Sequence, residues 1–493
     1  MLKTKTFSAV RWTAAASLVK ILLRILQISI LARLLEKEDF GLMAMALVVI
    51  DFASIFADFG LNSAFMQRRD VTNEERSSLF WANIFTSFLF CILTISLSPL
   101  FANIVYHENR LIWVISLIAP LFIINALGVQ IRTNSEKELN FKKITFIDLI
   151  SGITGLVASV IFAKFGLGVY ALVFSAIIGS TTATILYWLF LSHSWRPMRH
   201  FKFKEVRRFL GFGGAVVANN IVHQTNLSMD IILGGKFLGA AQLGFYSIPR
   251  NLILQIQFTI NPIITRVGFP LIAMISEDVE RVKKVYLKTI ATTSSITAPL
   301  YVGLTLFSHE STRLLLGDGW DQSGDLLRII AIWGAVRSLA NPVGSLLLGM
   351  GRADLQLKWN LIMLLITPPT LLFGVYYMPL LGFCNSVEGM IYAMLFLVVI
   401  LYFPVWYYLV RPLCRATAWE YMIATLKPFG VSILSILPSF LLVRFFGDNS
   451  QIQFFIAIAF SVINYILLSF YLNREWVDSM KEFINGALKS PSM

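Results

Sequence analysis

The chain of 493 residues is 57% hydrophobic and only 14% charged. Soluble globular domains carry about 25% charged residues, so this composition excludes a water-soluble protein and predicts an integral membrane protein. The net charge is +13, and the three cysteines have neither disulfide nor metal-ligand spacing, which argues against a disulfide framework and against a zinc site.

Many apolar segments are long enough to cross a bilayer as helices of roughly 20 residues. About 14 such segments predict an all-α, polytopic membrane protein. In chain order they lie near residues 8–31, 42–65, 79–104, 111–131, 144–163, 169–191, 209–233, 244–265, 289–307, 326–348, 357–377, 388–409, 426–445 and 451–472. The first apolar run extends past Leu34 and contains Lys20 and Arg24, so we interpret it as a membrane span and not as a cleaved signal peptide.

The basic residues between the spans fall mostly on one side of the membrane when both termini are placed in the cytoplasm. The most basic segment, residues 192–208, lies on that side. This asymmetry predicts an even number of spans with both termini cytoplasmic. It also explains most of the net charge, which therefore indicates no nucleic-acid partner.

Two segments resemble each other within the chain: ILARLLEKEDFG at residues 30–41 and ILGGKFLGAAQLG at residues 232–244. We predict an N-terminal lobe of helices 1–6 (residues 1–207), a C-terminal lobe of helices 7–12 (208–410), and two additional helices with a cytoplasmic tail (411–493). Two such six-helix lobes around a central cavity form a known transporter plan. The alternative is that any two apolar stretches joined by a glycine-containing turn look alike.

The first predicted helix places Thr13, Lys20, Arg24 and Gln27 on one face. A charge near the bilayer centre costs at least roughly 2.5–3.5 kcal/mol, so such residues normally face protein or water. We interpret Lys20 and Arg24 as substrate-binding residues that face an interior cavity. The alternative is that their long side chains extend to the membrane surface.

The second predicted helix carries a polar stripe that includes carboxylates, formed by Asp51, Ser54, Asp58 and Asn62. Asp51 and Asp58 are candidates for binding a coupling ion. They are equally candidates for structural ion pairs with Lys20 or Arg24, and the sequence leaves both interpretations open.

The seventh predicted helix has a polar stripe that is too broad to face lipid: Asn219, Asn220, His223, Gln224, Asn226 and Asp230. We interpret Asn219 as a substrate-binding residue and His223 as a third ion-coupling candidate. For His223, an ordinary hydrogen bond between helices is the alternative.

The eighth predicted helix repeats the pattern with Arg250, Gln257 and Asn261, and the tenth adds Arg337. We interpret Arg250, Gln257 and Arg337 as substrate-binding residues, and we expect Arg328 to face the opposite side of the tenth helix. Guanidinium groups bind pyrophosphate oxygens in pairs, and amides suit hydroxyl-rich groups such as sugars. The pattern therefore predicts a transporter of an anionic, polar solute.

No phosphate-binding loop of the form G-x-x-x-x-G-K-[ST] occurs, so we expect no ATP hydrolysis, no cofactor and no catalytic residue. We also expect no metal site. An acidic loop on the predicted outer face is interpreted as a solvated surface; its members are Glu310, Asp318, Asp321 and Asp325.

Four stretches carry a resemblance to a known family: residues 12–33 followed by Phe40-Gly41, ADFGLNSAFMQRR at 57–69, NPIITRVGFP at 261–270 and RSLANPVGS at 337–345. On these residues the chain resembles the Wzx-type polysaccharide exporters, and within them the colanic-acid exporter branch. These exporters belong to the multidrug/oligosaccharidyl-lipid/polysaccharide superfamily. The similarity covers nearly the whole chain.

The resemblance implies a flippase that moves an undecaprenyl-pyrophosphate-linked oligosaccharide from the cytoplasmic to the periplasmic leaflet of a bacterial inner membrane. It implies alternating access and ion coupling, and a role in the synthesis of capsule, exopolysaccharide or O-antigen. It also implies that Lys20, Arg24, Arg250 and Arg337 engage the pyrophosphate. Membrane lipids, a polysaccharide polymerase and a chain-length regulator are the other expected partners.

Two other functions remain as alternatives. A multidrug cation antiporter of the same superfamily would share the fold, but its cavity should be acidic. A membrane-embedded polysaccharide polymerase or ligase would bring a large outer loop with catalytic Arg or His. Here residues 308–325 hold one arginine, Arg313, and one histidine, His309.

Overall fold

The computed structural model describes residues 19–68, 70–382, 384–446, 451–474 and 476–478. The side chains at positions 212, 213, 215, 262–267 and 446 are outside this description. Thr13, both chain ends and the start of the first predicted span therefore lie outside the described residues. The chain divides into two compact units, Met1–Ser247 and Ile248–Met493, here called unit 1 and unit 2.

Regular secondary structure in the described residues is entirely helical. In unit 1 the helices are α1 (residues 19–31), α2 (Lys37–Asp58), α3 (Leu61–Gln67), α4 (Asn73–Leu100), α5 (Arg110–Ile118), α6 (Leu121–Lys137), α7 (Phe141–Lys164), α8 (Val169–Phe190) and the first part of α9 (Phe203–Met274). After the end of α9, unit 2 contains α10 (Val279–Leu306), α11 (Ser308–Leu316), α12 (Asp321–Ser338), α13 (Asn341–Gly349), α14 (Ala353–Leu372), α15 (Met378–Leu380), α16 (Ser386–Val405), α17 (Arg411–Cys414), α18 (Ala418–Phe446) and α19 (Gln451–Leu472).

Eleven of the described helical segments are long and apolar enough to cross a membrane, and α10 with α11, bent by 83°, would make twelve. Many of their large apolar side chains are exposed, including Leu365 at 75% and Ile452 at 71%, as expected for a lipid-facing surface. These observations confirm the predicted all-α, polytopic membrane protein. The count of about 14 is not confirmed, and the division at residues 207 and 410 stays a prediction.

Two features explain much of the difference in count. The spans predicted near 209–233 and 244–265 lie on either side of a kink in α9, and the apolar segment Val216–Asn261 that crosses this kink is counted once. This helix is interrupted at Gly239, where φ is 79° and ψ is 173°. A positive φ is readily adopted by glycine because it has no Cβ. The first predicted span is described from residue 19 onward, too short a stretch to be counted.

The two mutually similar segments meet each other inside unit 1. A Cβ added at Gly41 would lie 1.9 Å from the carbonyl oxygen of Ala240, and one added at Gly244 would lie 1.9 Å from that of Lys37. The glycine of each segment thus contacts a backbone carbonyl of the other segment. In both segments that carbonyl belongs to the residue four positions before the segment's own glycine. Such a reciprocal contact is what a two-fold relation between similar segments produces, so it supports an internal repeat.

Three π-helical stretches follow prolines in the apolar helices. They are Phe101–Tyr106 after Pro99, Phe373–Tyr377 after Pro369, and Trp406–Val410 after Pro404. Proline lacks a backbone N–H and clashes with the preceding turn, which favours a local widening of the helix.

The basic segment before α9 is tied to the start of α4. Ser77 Oγ accepts a hydrogen bond from the backbone N–H of Met198 at 3.0 Å, and Ser78 Oγ accepts one from that of Lys202 at 3.0 Å. Glu75, which completes the capping box of α4, also forms an ion pair with Arg208. These contacts fix the segment between α8 and α9 on the end of α4.

Candidate functional site

The polar face of α1 packs against α7 and α8. Lys20 Nζ lies 2.5 Å from Asp148 Oδ2, and its side chain is 44% exposed. Gln27 Nε2 donates to Ser159 Oγ at 3.3 Å and to Ser175 Oγ at 3.0 Å. Two of the predicted cavity-facing residues therefore hold α1 to its neighbours.

Asp148 is the charged centre of this packing. Its carboxylate accepts from the Tyr187 hydroxyl at 2.7 Å and lies 3.5 Å from Arg132, in addition to Lys20. The side chain of Asp148 is 10% exposed. Of the interpretations that the sequence left open, a pairing of Lys20 with Asp51 or Asp58 is not the one found, because Asp148 is the carboxylate that pairs with Lys20.

Arg24 differs from Lys20. Its side chain is exposed and forms no hydrogen bond or ion pair with any described residue. Because Arg24 is one turn beyond Lys20 on the same helix, its charge is available for a ligand where that of Lys20 is already neutralised.

The two carboxylates of α2 have amide partners. Asp58, the last residue of α2, accepts a hydrogen bond from the side chain of Asn62 across the break before α3. Asp51 is exposed and accepts a bond of 3.3 Å from Gln224 Nε2 of α9. The polar faces of α2 and α9 are thus in contact.

The first part of α9 presents Asn219 and His223 as exposed residues. Farther along the same stripe, Asp230 is only 4% exposed and accepts a hydrogen bond from the hydroxyl of Tyr246. This buried carboxylate was part of the predicted stripe but was not singled out. The nearby tyrosine at an otherwise apolar position is the signal that could have identified it.

The polar residues of unit 2 are packed into its interior. Gln257 is 4% exposed, and its Nε2 donates to the carbonyl oxygen of Gly334 at 3.5 Å. Gly334 itself leaves no room for a side chain, because an added Cβ would lie 2.3 Å from Ile253 and 3.0 Å from Tyr301. Tyr301, which packs against Gly334, is fully buried.

The two predicted arginines of unit 2 are less accessible than Arg24. Arg250 lies two turns before Gln257 on the same helix and is 8% exposed. Arg337 is partly buried, with its guanidinium 4.8 Å from the centre of the Trp333 ring, one turn earlier on α12. Gly334, which Gln257 contacts and against which Tyr301 packs, lies one turn before Arg337 on α12, so these residues form one neighbourhood.

One group of side chains in the described residues has the donor types and spacing of a metal site. Glu74, His200 and Glu205 offer ligand atoms that all lie within 4.8 Å of one another. The hydroxyl of Ser78 and the imidazole of His200 hold the pKa of Glu205 below its usual value. These hydrogen bonds already satisfy Glu205 as part of the α4 junction, and we assign no metal to it.

Comparison with known proteins places the chain in a family. The profile of the family described as polysaccharide biosynthesis protein matches residues 30–325. The lipopolysaccharide biosynthesis protein WzxC of Escherichia coli (strain K12) is 27% identical over 441 residues, which cover 90% of this chain and 88% of that protein. The teichuronic acid biosynthesis protein TuaB of Bacillus subtilis (strain 168) is 29% identical over 355 residues, 72% of this chain and 73% of that protein.

A solved structure supports the fold. The lipid II flippase MurJ in an inward closed conformation matches with a TM-score of 0.73 over 95% of this chain and 100% of that chain, at 13% sequence identity. At this identity the match establishes the fold and no more. Because the family profile covers more than half of the chain, the protein belongs to the polysaccharide biosynthesis protein family, and its predicted resemblance to the Wzx-type exporters is confirmed.

Proposed function

We propose that the protein is a flippase for a polyprenyl-pyrophosphate-linked oligosaccharide, most simply the undecaprenyl-linked repeat unit of a bacterial surface polysaccharide. Membership in the polysaccharide biosynthesis family supports the pathway, and the fold shared with a lipid II flippase is suited to the step. The proposed mechanism is alternating access, with the head group in a polar cavity and the polyprenyl chain left in lipid.

The observation that carries this proposal is a set of exposed polar residues on α1, α2 and α9 of unit 1: Arg24, Asp51, Asn219 and His223. The last three lie within segments that are long and apolar enough to cross a membrane. An ionised side chain in contact with hydrocarbon costs at least about 2.5–3.5 kcal/mol, so an exposed set of this kind requires water or a polar ligand beside it. A hydrated path for a hydrophilic head group provides that environment.

Within this path, Arg24 is the residue best placed to bind the pyrophosphate. Its guanidinium can donate two parallel hydrogen bonds to phosphate oxygens, and no described carboxylate competes for it. We assign Lys20 a secondary contribution, because Asp148 already neutralises it. Asn219 is assigned to sugar hydroxyls.

The residues of unit 2 receive a different assignment in the same mechanism. Arg250, Gln257 and Arg337 stay candidates for substrate binding, but their burial means that the substrate would meet them only after a rearrangement of the helices around Gly334. Asp51, Asp58 and His223 stay the ion-coupling candidates. Asp51 is favoured among them because it is exposed, so that water can reach its carboxylate.

The cellular setting belongs to the same proposal. We place the protein in the bacterial inner membrane with both termini in the cytoplasm, on the asymmetry of its basic residues. A polysaccharide polymerase and a chain-length regulator would act on the product. We assign no covalent chemistry to this chain.

The experiment is transport of a fluorescent undecaprenyl-pyrophosphate oligosaccharide in proteoliposomes under proton or sodium gradients. We expect wild-type protein to transport it and Arg24→Ala to slow transport about 10- to 100-fold, the effect of losing charge-assisted hydrogen bonds worth about 1.5–3 kcal/mol. The control is Arg33→Ala, an exposed arginine just after α1 that donates to Ser29 of α1 at 3.4 Å.

The outcomes separate the function from the site. Transport by wild type that is unchanged in Arg24→Ala would overturn the assigned phosphate contact and leave the flippase in place. Absence of wild-type transport under every gradient would overturn the flippase. Formation of a lengthened polysaccharide by the purified protein would favour the polymerase instead.

A further inference from the structure

A cavity of about 730 Å³ lies at one end of unit 2, away from the residues discussed above. It opens where α10 bends by 83° into α11, and the ends of α12, α18 and α19 complete its wall. The predicted topology assigns this end to the outer face of the membrane. Its lining includes Glu310, Asp321, Arg328, Phe440, Arg444 and Phe454.

The floor of this cavity is apolar and well packed. The Phe307 ring lies beneath it and contacts those of Phe440 at 5.7 Å and Phe454 at 5.6 Å, both edge to face. Val302 and Ile436 extend the same buried cluster. Such a floor offers a fixed surface on which hydrocarbon can lie.

The rim of the cavity is charged, and part of that charge is already paired. His309 Nε2 lies 3.1 Å from Asp325, and Arg313 Nε lies 3.5 Å from Asp318. These two contacts give His309 and Arg313 carboxylate partners. They leave a smaller set of charges for a ligand.

That set consists of Arg328, Arg444, Glu310 and Asp321. All four line the cavity, yet their side chains form no ion pair or hydrogen bond with one another or with any other described residue. Three of them are exposed, so their charges are accessible at the cavity. Two cations and two anions lining one cavity are complementary to a ligand that itself carries both signs of charge.

We propose that this cavity binds the head group of a zwitterionic phospholipid that bears a primary ammonium, of the phosphatidylethanolamine type. Arg328 and Arg444 receive the phosphate, Glu310 and Asp321 receive the ammonium, and the first part of the acyl chains lies on Phe440 and Phe454. A cavity of about 730 Å³ is within the range of known small-ligand sites, roughly 300–1,000 Å³.

The charges also discriminate against other lipids. A purely anionic head group would face Glu310 and Asp321 without a cation to offer them. A choline head group would bring a positive charge but no N–H donor for the carboxylates. The site does not depend on the proposed transport activity, and it gives α18 and α19, which follow the predicted lobes, a function of their own.

The test uses purified full-length protein, stripped of lipid in detergent and titrated with phosphatidylethanolamine, phosphatidylglycerol and phosphatidylcholine, with bound lipid read by native mass spectrometry. We expect wild type to prefer phosphatidylethanolamine about tenfold, the effect of one or two charge-assisted hydrogen bonds. Soluble phosphoethanolamine is the control for the head group alone. If it competes as well as the whole lipid, the site binds a soluble ligand and the lipid proposal is overturned.

Two double variants then separate the two halves of the head group. Glu310→Gln with Asp321→Asn should abolish the preference over phosphatidylglycerol, whereas Arg328→Gln with Arg444→Gln should weaken binding of all three lipids. Arg33→Gln should leave binding unchanged. Equal binding of the three lipids by wild type, or an unaltered preference in both double variants that retain their melting temperature, would overturn the proposal.

Discussion

Unit 1 and unit 2 both carry polar residues at helical spacing along apolar helices, but they place them differently. In unit 1, Arg24 and Asn219 are exposed. In unit 2, Gln257 is 4% exposed and Arg250 is 8% exposed. The same sequence pattern can therefore mark a hydrated surface or a buried polar junction, and the difference lies in what packs against it.

Glycine makes part of that difference. Gly334 allows α9, α10 and α12 to meet closely enough for Gln257 to reach a backbone carbonyl. Arg24 of α1 and Asn219 of α9 are instead exposed. A polar side chain under a glycine crossing is expected to contribute to stability, whereas one without such cover is expected to contribute to binding.

The largest expected effect comes from adding a side chain at Gly334, where α9, α10 and α12 meet. Gly334→Val would force a side chain against Ile253 and Tyr301, and we expect it to lower the free energy of unfolding by about 3 kcal/mol, at the upper end for an overpacked core. Thermal unfolding in detergent measures this. Gly303→Val on α10 is the control, because an added Cβ there meets nothing within 4 Å. An equal loss in both variants would show that the crossing has no special role.

The next prediction breaks the comparison, because one residue of unit 1 should behave like those of unit 2. Asp148→Ala removes the shared partner of Lys20, Arg132 and Tyr187, and we expect a loss of about 2 kcal/mol in stability. Lys20→Ala should cost less than about 1 kcal/mol, since the lysine is 44% exposed and Asp148 keeps its other partners. Melting temperatures of the two variants decide this, and the reverse order would contradict it.

Two amides sharpen the comparison directly. Gln257→Ala should lower stability by about 1.5 kcal/mol, because it removes the buried hydrogen bond to the Gly334 carbonyl and part of a packed side chain. Asn219→Ala, at an exposed position, should change stability by less than about 0.5 kcal/mol and should instead reduce transport. Thermal unfolding and the transport assay on the same preparations test both. Equal destabilisation by the two variants would remove the distinction between the units.

The smallest expected effect on stability is that of Asp51→Asn. The substitution keeps a partner for Gln224 and removes the ionisable group, so stability should change by less than about 0.5 kcal/mol. Transport should lose its dependence on a proton gradient. Transport measured at several external pH values, with Asp58→Asn for comparison, identifies which carboxylate couples. An unchanged gradient dependence in both would leave His223 as the remaining candidate.

Much of the fold follows from the sequence because hydrocarbon imposes a simple requirement. Backbone groups in lipid must bond within their own helix, so long apolar runs such as residues 451–472 form helices, in this case α19, Gln451–Leu472. The similarity of residues 30–41 to 232–244 was also informative, since these segments contact each other reciprocally. The kink at Gly239 agrees with the two separate spans predicted on either side of it, 209–233 and 244–265.

The candidate site was less predictable than the fold. Spacing identified the polar faces of α1 and α9, but it could not show that Asp148, 128 residues away from Lys20, would neutralise that residue. It could not show that Arg328 would line a cavity with Glu310 and Asp321, which were interpreted as a solvated surface. Pairings between distant helices depend on how the helices pack, and a periodicity along one helix contains no information about that.

The contact of Gly41 with Ala240 and of Gly244 with Lys37 has a consequence for the rate at which these helices can part. In each of the two contacts, a glycine, which has no side chain, lies against a backbone carbonyl of the other segment. Separating such surfaces requires no side chain to change rotamer and none to gain or lose conformational freedom. The contact can therefore break and re-form without a side-chain rearrangement, and a single added methyl group at either glycine would prevent the two segments from packing this closely.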